Sequence, residues 1–193
     1  MNIHIEGPNG SGKSTLADAV KNALRWDQMN LHHREGDQFL RYIAEYGRKD
    51  TVFVRSHWSE FVYSHLFGRP KPFTPEEFQT LSCVARLRGI VVICLPRSVD
   101  TLVQRFEERQ RTGTDQDKQA KLELIEREYR LWATTLYPDS AAHMRALSVR
   151  TLGIKPGFAQ NADYTYRGES KEDLLQAVQD IVRIVRALET RMP

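Results

Sequence analysis

Apolar and polar residues alternate over Met1-Asn2-Ile3-His4-Ile5-Glu6. That period of two predicts a strand over residues 2–6. Leu16, Ala19, Val20, Ala23 and Leu24 then recur at helical spacing and predict a helix over 13–25. A second strand is expected from Met29 to His33, ending in Arg34-Glu35-Gly36-Asp37. Phe39, Leu40, Ile43, Ala44 and Tyr46 give another helical face. Thr51-Val52-Phe53-Val54 is a short β-rich run, and the prolines of Arg69-Pro70-Lys71-Pro72-Phe73 mark a loop.

The second half follows the same alternation. Thr74-Pro75-Glu76-Glu77 carries an N-cap threonine, a proline at the first helical position and a glutamate at the third. The helix it opens is expected to run to Arg88 and stop at Gly89. The strand over 90–95 is apolar throughout, as in a sheet covered on both faces. Ser98 caps a helix bearing Arg105, Arg109 and Arg111. After the polar stretch from Thr112 to Gln119, Leu122, Ile125, Tyr129 and Trp132 restore a helical stripe. Residues 138–162 give no clear pattern beyond a loop at Pro156-Gly157. Tyr164-Thr165-Tyr166 reads as a last strand, and Ser170-Lys171-Glu172-Asp173 opens a final helix with a capping-box start. Strands alternating with helices predict one α/β domain over 1–193, with a five-stranded parallel sheet flanked by helices.

Between the first strand and the first helix lies Gly7-Pro8-Asn9-Gly10-Ser11-Gly12-Lys13-Ser14, followed by Thr15. It fits the phosphate-loop pattern: glycine, any four residues, then glycine, lysine and serine or threonine. The glycines let consecutive N–H groups turn inward toward phosphate oxygens. Gly7, Pro8, Asn9, Gly10, Ser11, Gly12, Lys13, Ser14 and Thr15 are therefore the candidate nucleotide-binding residues. Lys13 supplies a cation for the β- and γ-phosphates, and the Ser14 hydroxyl is the candidate Mg²⁺ ligand. The helix that follows adds its positive end to the same place. The expected cofactors are ATP and Mg²⁺.

Composition narrows the class only slightly. The 193 residues carry a net charge of +3, with 27% charged and 40% hydrophobic residues. This is the balance of a globular protein, and it permits a nucleic-acid partner without requiring one. Cys83 and Cys94 form no CxxC pair and read as reduced thiols. The first strand and phosphate loop begin at once, so no signal peptide is expected. Ile90 to Leu95 is too short to span a membrane. A cytoplasmic location with no membrane partner is expected, in the host cytoplasm if the protein is phage-encoded.

A small kinase is favoured among phosphate-loop proteins. There is no NKxD guanine-reading motif, no acidic residue ends either apolar strand, and an arginine-rich helix follows the fourth. The segment Phe53-Val54-Arg55-Ser56-His57-Trp58-Ser59-Glu60-Phe61-Val62-Tyr63 resembles the third-strand region of thymidylate-kinase-like and deoxynucleoside-kinase-like proteins. The likeness is strongest to phage members, which include kinases of 5-hydroxymethyluracil in DNA. In that family an acid-arginine or glutamate-arginine-serine stretch precedes serine-glutamate-x-x-tyrosine. His32-His33-Arg34-Glu35-Gly36 and Asp163-Tyr164-Thr165 resemble the phage members too. The likeness implies that Arg55 holds the acceptor or the transferring group, with a surface ion pair as the alternative. It implies a helical lid at about 105–120 with one or two lid arginines among Arg105, Arg109 and Arg111, Arg109 being the leading candidate and a solvated helix face the alternative.

One departure stands out. Val54 occupies the position where the family usually has an acid. A hydroxyl acceptor benefits from a carboxylate within hydrogen-bond reach. Glu35 falls where deoxynucleoside kinases carry such a base, and its alternative role is helix-start charge. Glu60 is a candidate to pair with Arg55 or to hold Mg²⁺ through water. His57, Trp58 and Tyr63 are candidates for a base-stacking wall or for core packing.

Three functions follow from this reading. The first is transfer of the ATP γ-phosphate to the hydroxyl of 5-hydroxymethyluracil in DNA, as part of phage DNA hypermodification. The second is a thymidylate-like kinase acting on free deoxynucleoside monophosphates. The third is a non-catalytic nucleotide-binding regulator. The expected partner is DNA or a deoxynucleotide acceptor, and the resemblance adds a possible homodimer.

Overall fold

Odd and even residues of the central strands face opposite sides of one sheet, and both sides are buried. A computed structural model describes residues 1–31, 36–111, 122–136 and 163–190. The strands are β1 (Asn2–Glu6), β2 (Asp27–Asn30), β3 (Thr51–Val54), β4 (Gly89–Cys94) and β5 (Tyr164–Tyr166). They form a five-stranded sheet in the order β2-β3-β1-β4-β5, and every pairing is parallel. The described helices are α1 (Lys13–Leu24), α2 (Gln38–Tyr46), α3 (His57–Leu66), α4 (Pro75–Arg88), α5 (Val99–Arg111), α6 (Leu122–Leu136) and α7 (Lys171–Glu189).

On one face, Ile3, Ile5, Val52, Val54, Ile90, Val92 and Cys94 pack against Leu16, Ala17 and Val20 of α1 and Ala177, Ile181 and Val185 of α7. On the other, Phe53, Val91 and Ile93 meet Tyr42 and Tyr46 of α2, Trp58 and Val62 of α3, Leu81 of α4 and Trp132 of α6. This two-sided burial is why β4 is apolar throughout. His4 is a buried polar residue in the middle of the second face, with Asn2 and Glu6 at the two ends of β1. It is fully buried, stacks on Phe53 at 5.2 Å and meets Tyr46 edge-on at 4.8 Å. Burial lowers its pKa to about 3, so it is a neutral ring in the core.

Most expected boundaries hold to within a residue. Thr74 and Ser170 each make a full capping box, and α4 ends where Gly89 begins β4. The second strand is the correction: it lies at Asp27–Asn30, earlier than Met29 to His33. As a sheet edge it has water on one side and tolerates Asp27 and Asn30, so apolar pattern misplaces it. Its pairing with β3 is fixed by backbone bonds from Asp27 N to Asp50 O at 3.0 Å and from Leu31 N to Val54 O at 3.1 Å. Glu35, the lid stretch from Thr112 and residues 138–162 lie outside the described residues.

Candidate active site

The parallel strands end together at one edge, and the chain leaves β1 there through the phosphate loop. Gly7 has φ +137, and a Cβ on it would lie 2.2 Å from the Cys94 carbonyl oxygen. Only glycine lets the loop turn this close to β4. Gly12 caps α1 in the left-handed region at φ +92, which a side chain would strain. The loop curls around the Lys13 side chain, whose Nζ donates to Gly7 O at 2.8 Å and Pro8 O at 2.7 Å. Burial, then the Arg55 charge, lowers the Lys13 pKa to about 8, while Glu128 and Glu6 work the other way.

The loop opens into a cleft of about 460 Å³. Asn9 to Thr15 line its floor, Asn30, Val54 and Arg55 one wall, and Arg105, Arg109, Tyr166 and Gly168 the other. The cleft thus brings together three of the four candidate catalytic residues: Lys13, Arg55 and Arg109. Glu35, the fourth, lies outside the described residues. Arg105 Nη1 donates to Gly10 O at 3.1 Å, and its other amino group bonds Gly168 O, tying α5 to the loop and to the segment after β5. Arg109 Nε donates to Arg105 O at 3.3 Å. Arg111 is exposed and does not line the cleft.

Arg55 follows β3 with its backbone at φ +64, a region that non-glycine residues rarely adopt. Its amide bonds Ile5 O at 3.0 Å, and Nη2 donates to Asn9 Oδ1 at 2.9 Å. Its guanidinium stands over the Tyr63 ring at 5.7 Å. Glu60 does not take the place of Asn9 here: it is buried on α3 and accepts from Ser64 Oγ at 3.4 Å. His57 and Trp58 belong to the core rather than to a stacking wall. His57 bonds Tyr46 OH at 2.7 Å and Ser82 Oγ at 2.9 Å, and Trp58 is 3% exposed.

Two carboxylates that the sequence did not single out complete the arrangement. Glu6 is fully buried at the end of β1 and accepts bonds from the hydroxyls of Ser56 and Ser59. Ile5 pairs with Val54 in the ladder, so Glu6 stands one position beyond the place of the missing acid, on the neighbouring strand. Burial raises its pKa to about 7 against the lowering effect of the serine hydroxyls. Glu128 reaches in from α6. Its Oε1 accepts from Asn9 N at 2.7 Å and from Tyr63 OH at 2.6 Å. Adjacency to the loop was a usable signal for Glu6; nothing local marked Glu128.

The site suits a nucleoside triphosphate with its metal ion. Ser11 Oγ is buried without a partner, Lys13 points into the loop, and Ser14 and Thr15 are exposed on the floor. Among the described residues, no group of three or more histidines, cysteines or carboxylates could hold a metal unaided. Among the described residues, no helix is long and apolar enough to cross a membrane.

No protein-family model matches the chain, and no curated protein matches it. Solved structures do. The YorR protein from Bacillus subtilis, in complex with phosphorylated GDP, is 17% identical, with coverage of 100% of this chain and 99% of that one and a TM-score of 0.71. A gluconokinase from Sinorhizobium meliloti is 14% identical over 100% of this chain and 97% of that one, with a TM-score of 0.55. The deoxyadenosine kinase from M. mycoides with its products dCMP and dCDP is 14% identical over 97% of this chain and all of its own, with a TM-score of 0.51. At these identities the likeness is one of architecture, and the chain has the α/β fold of the phosphate-loop kinases.

Proposed function

We propose that this chain is a Mg²⁺- and nucleoside-triphosphate-dependent phosphotransferase whose acceptor is a free nucleoside monophosphate. The observation that carries the reading is the cleft lining: Lys13, Arg55, Arg105 and Arg109 converge on the phosphate loop, while the described carboxylates beside it, Glu6 and Glu128, are taken up by Ser56, Ser59, Asn9 and Tyr63. A monophosphate is already anionic and needs cations more than a base. The relatives in fold that hold phosphorylated GDP, dCMP and dCDP support a small nucleotide acceptor.

The residues divide the work by position. The loop amides and Lys13 hold the donor phosphates, and Lys13 gives up its carbonyl contacts to do so. Arg55, fixed by Asn9 and Tyr63, orients the acceptor phosphate. Arg105 and Arg109 neutralise charge from the α5 side. Ser14 would hold Mg²⁺, which supplies further neutralisation of the β- and γ-phosphates. Glu6 anchors the start of α3 through Ser56 and Ser59 and so supports Arg55.

Val54 in the cleft wall favours a second reading, because the acid that related monophosphate kinases carry there is missing. In it the acceptor is the hydroxyl of 5-hydroxymethyluracil in DNA and Glu35 is the base. Acceptors offered with γ-phosphate-labelled ATP and Mg²⁺ separate the two. They are deoxynucleoside monophosphates, free nucleosides, ordinary DNA and DNA containing 5-hydroxymethyluracil. Label in a free monophosphate is the expected result; label confined to the modified DNA would replace the first reading with the second.

A further inference from the structure

Glu128 is an acid in the wrong place for an anion-binding loop. It is 6% exposed, 119 residues from Asn9 in sequence, and its carboxylate sits on a phosphate-loop amide at 2.7 Å. An inward N–H of such a loop is a donor meant for a phosphate oxygen. The carboxylate is also held by Tyr63 OH at 2.6 Å and lies close enough to Lys13 to favour its charged form. A negative oxygen on a loop amide, beside Lys13 and near Arg55, reproduces the surroundings of a phosphoryl oxygen.

The position along the loop indicates which phosphate. The Lys13 ammonium rests on the carbonyls of Gly7 and Pro8, the two residues before Asn9. The phosphate-loop lysine serves the β- and γ-phosphates. By that assignment Asn9 N, next in the chain after those carbonyls, belongs to the γ end of the cradle. Resting on the phosphate-transfer reading, we infer that Glu128 is an internal occupant of the γ-phosphate position. It leaves when a triphosphate enters and returns when only a diphosphate remains. It acts as a specificity-determining residue: it lowers triphosphate affinity through like-charge repulsion and leaves diphosphate affinity nearly untouched. It also joins α6 to the nucleotide state, because the same side chain links α6, the loop and α3.

The test is direct binding of Mg²⁺-ATP and Mg²⁺-ADP to the full chain, by calorimetry, for wild type, Glu128→Gln and Tyr63→Phe. Glutamine keeps the shape and an acceptor oxygen but removes the charge. The account expects ATP affinity to rise at least about fivefold in Glu128→Gln, the scale of a close charge pair screened as fully as in water, with ADP affinity changed less than about twofold. Tyr63→Phe removes one of the two donors holding Glu128, leaves the carboxylate in place, and is expected to move the ratio the same way by less. An unchanged ATP-to-ADP ratio in both variants, or a parallel loss of both affinities, would make Glu128 a structural anchor and overturn the inference. Wild-type chain that binds neither nucleotide would overturn the phosphate-transfer reading as well, which the ratio test alone does not touch.

Discussion

The proposed donor end of the cleft draws its groups from consecutive residues, Asn9 to Thr15. The Arg55 end draws on side chains from separate elements: Glu6 on β1, Asn9 in the loop, Ser56 and Ser59 at α3, Tyr63 and Glu128. The first is a local device that carries its own geometry. The second exists only after the sheet and the helices over it have assembled. Damage to the first should therefore remove phosphate handling outright, and damage to the second should act through position, pH and stability.

The largest effect should come from the donor end. Lys13→Ala removes the one cation inside the loop, and transfer from ATP is expected to fall roughly 10²–10³-fold or more. Steady-state rates at saturating ATP check this. A loss under tenfold would place the chemistry away from the loop.

Arg55 tests the assembled end. Arg55→Ala should lower transfer by about 10²-fold, chiefly through a weaker hold on the acceptor. Arg55→Gly should be as inactive but more stable than Arg55→Ala by about 1 kcal/mol, since glycine adopts φ +64 without the Cβ penalty. Chemical denaturation of the two variants measures the difference. Equal stability would mean that the left-handed backbone stores no strain.

Glu6 gives a smaller effect with a defined pH window. Its folded pKa of about 7 is raised from an ordinary value of 4.5. A raised acid contributes its full share of stability below the unfolded pKa and loses it as pH rises through the folded one. Wild type should therefore lose stability relative to Glu6→Gln between about pH 4.5 and 7, by an amount on the order of 1 kcal/mol or a few times that. The difference between the proteins, rather than the slope of either, is the readout. His4 and His57 have lowered pKa values and act oppositely, losing stability as pH falls. A flat difference across the window would show that Glu6 is ionised at little cost.

The same contrast explains what could be read from the chain. Alternation in Met1 to Glu6, the capping residues Thr74 and Ser170, and the apolar run of β4 each encode an element locally, and each appears as expected. The edge strand β2 did not, because an edge needs no apolar pattern. At the site, the loop was legible because its chemistry is contiguous. Arg55 was legible as a strand-end cation, but its partner is Asn9 rather than Glu60. Glu128 was not, because only tertiary packing brings α6 to Asn9. For His57 and Trp58 the sequence left a stacking wall and core packing open for the same reason: aromatic composition does not tell core from cleft.

The most direct test of the central claim is a single comparison: transfer of the labelled γ-phosphate from ATP to a panel of deoxynucleoside monophosphates by wild type and Lys13→Ala. Label in at least one monophosphate with wild type, nearly abolished in the variant, is the result expected of a phosphotransferase working through this loop. Tight ATP binding by wild type with no label in any acceptor, nucleotide or DNA, would contradict the claim and leave a nucleotide-binding regulator.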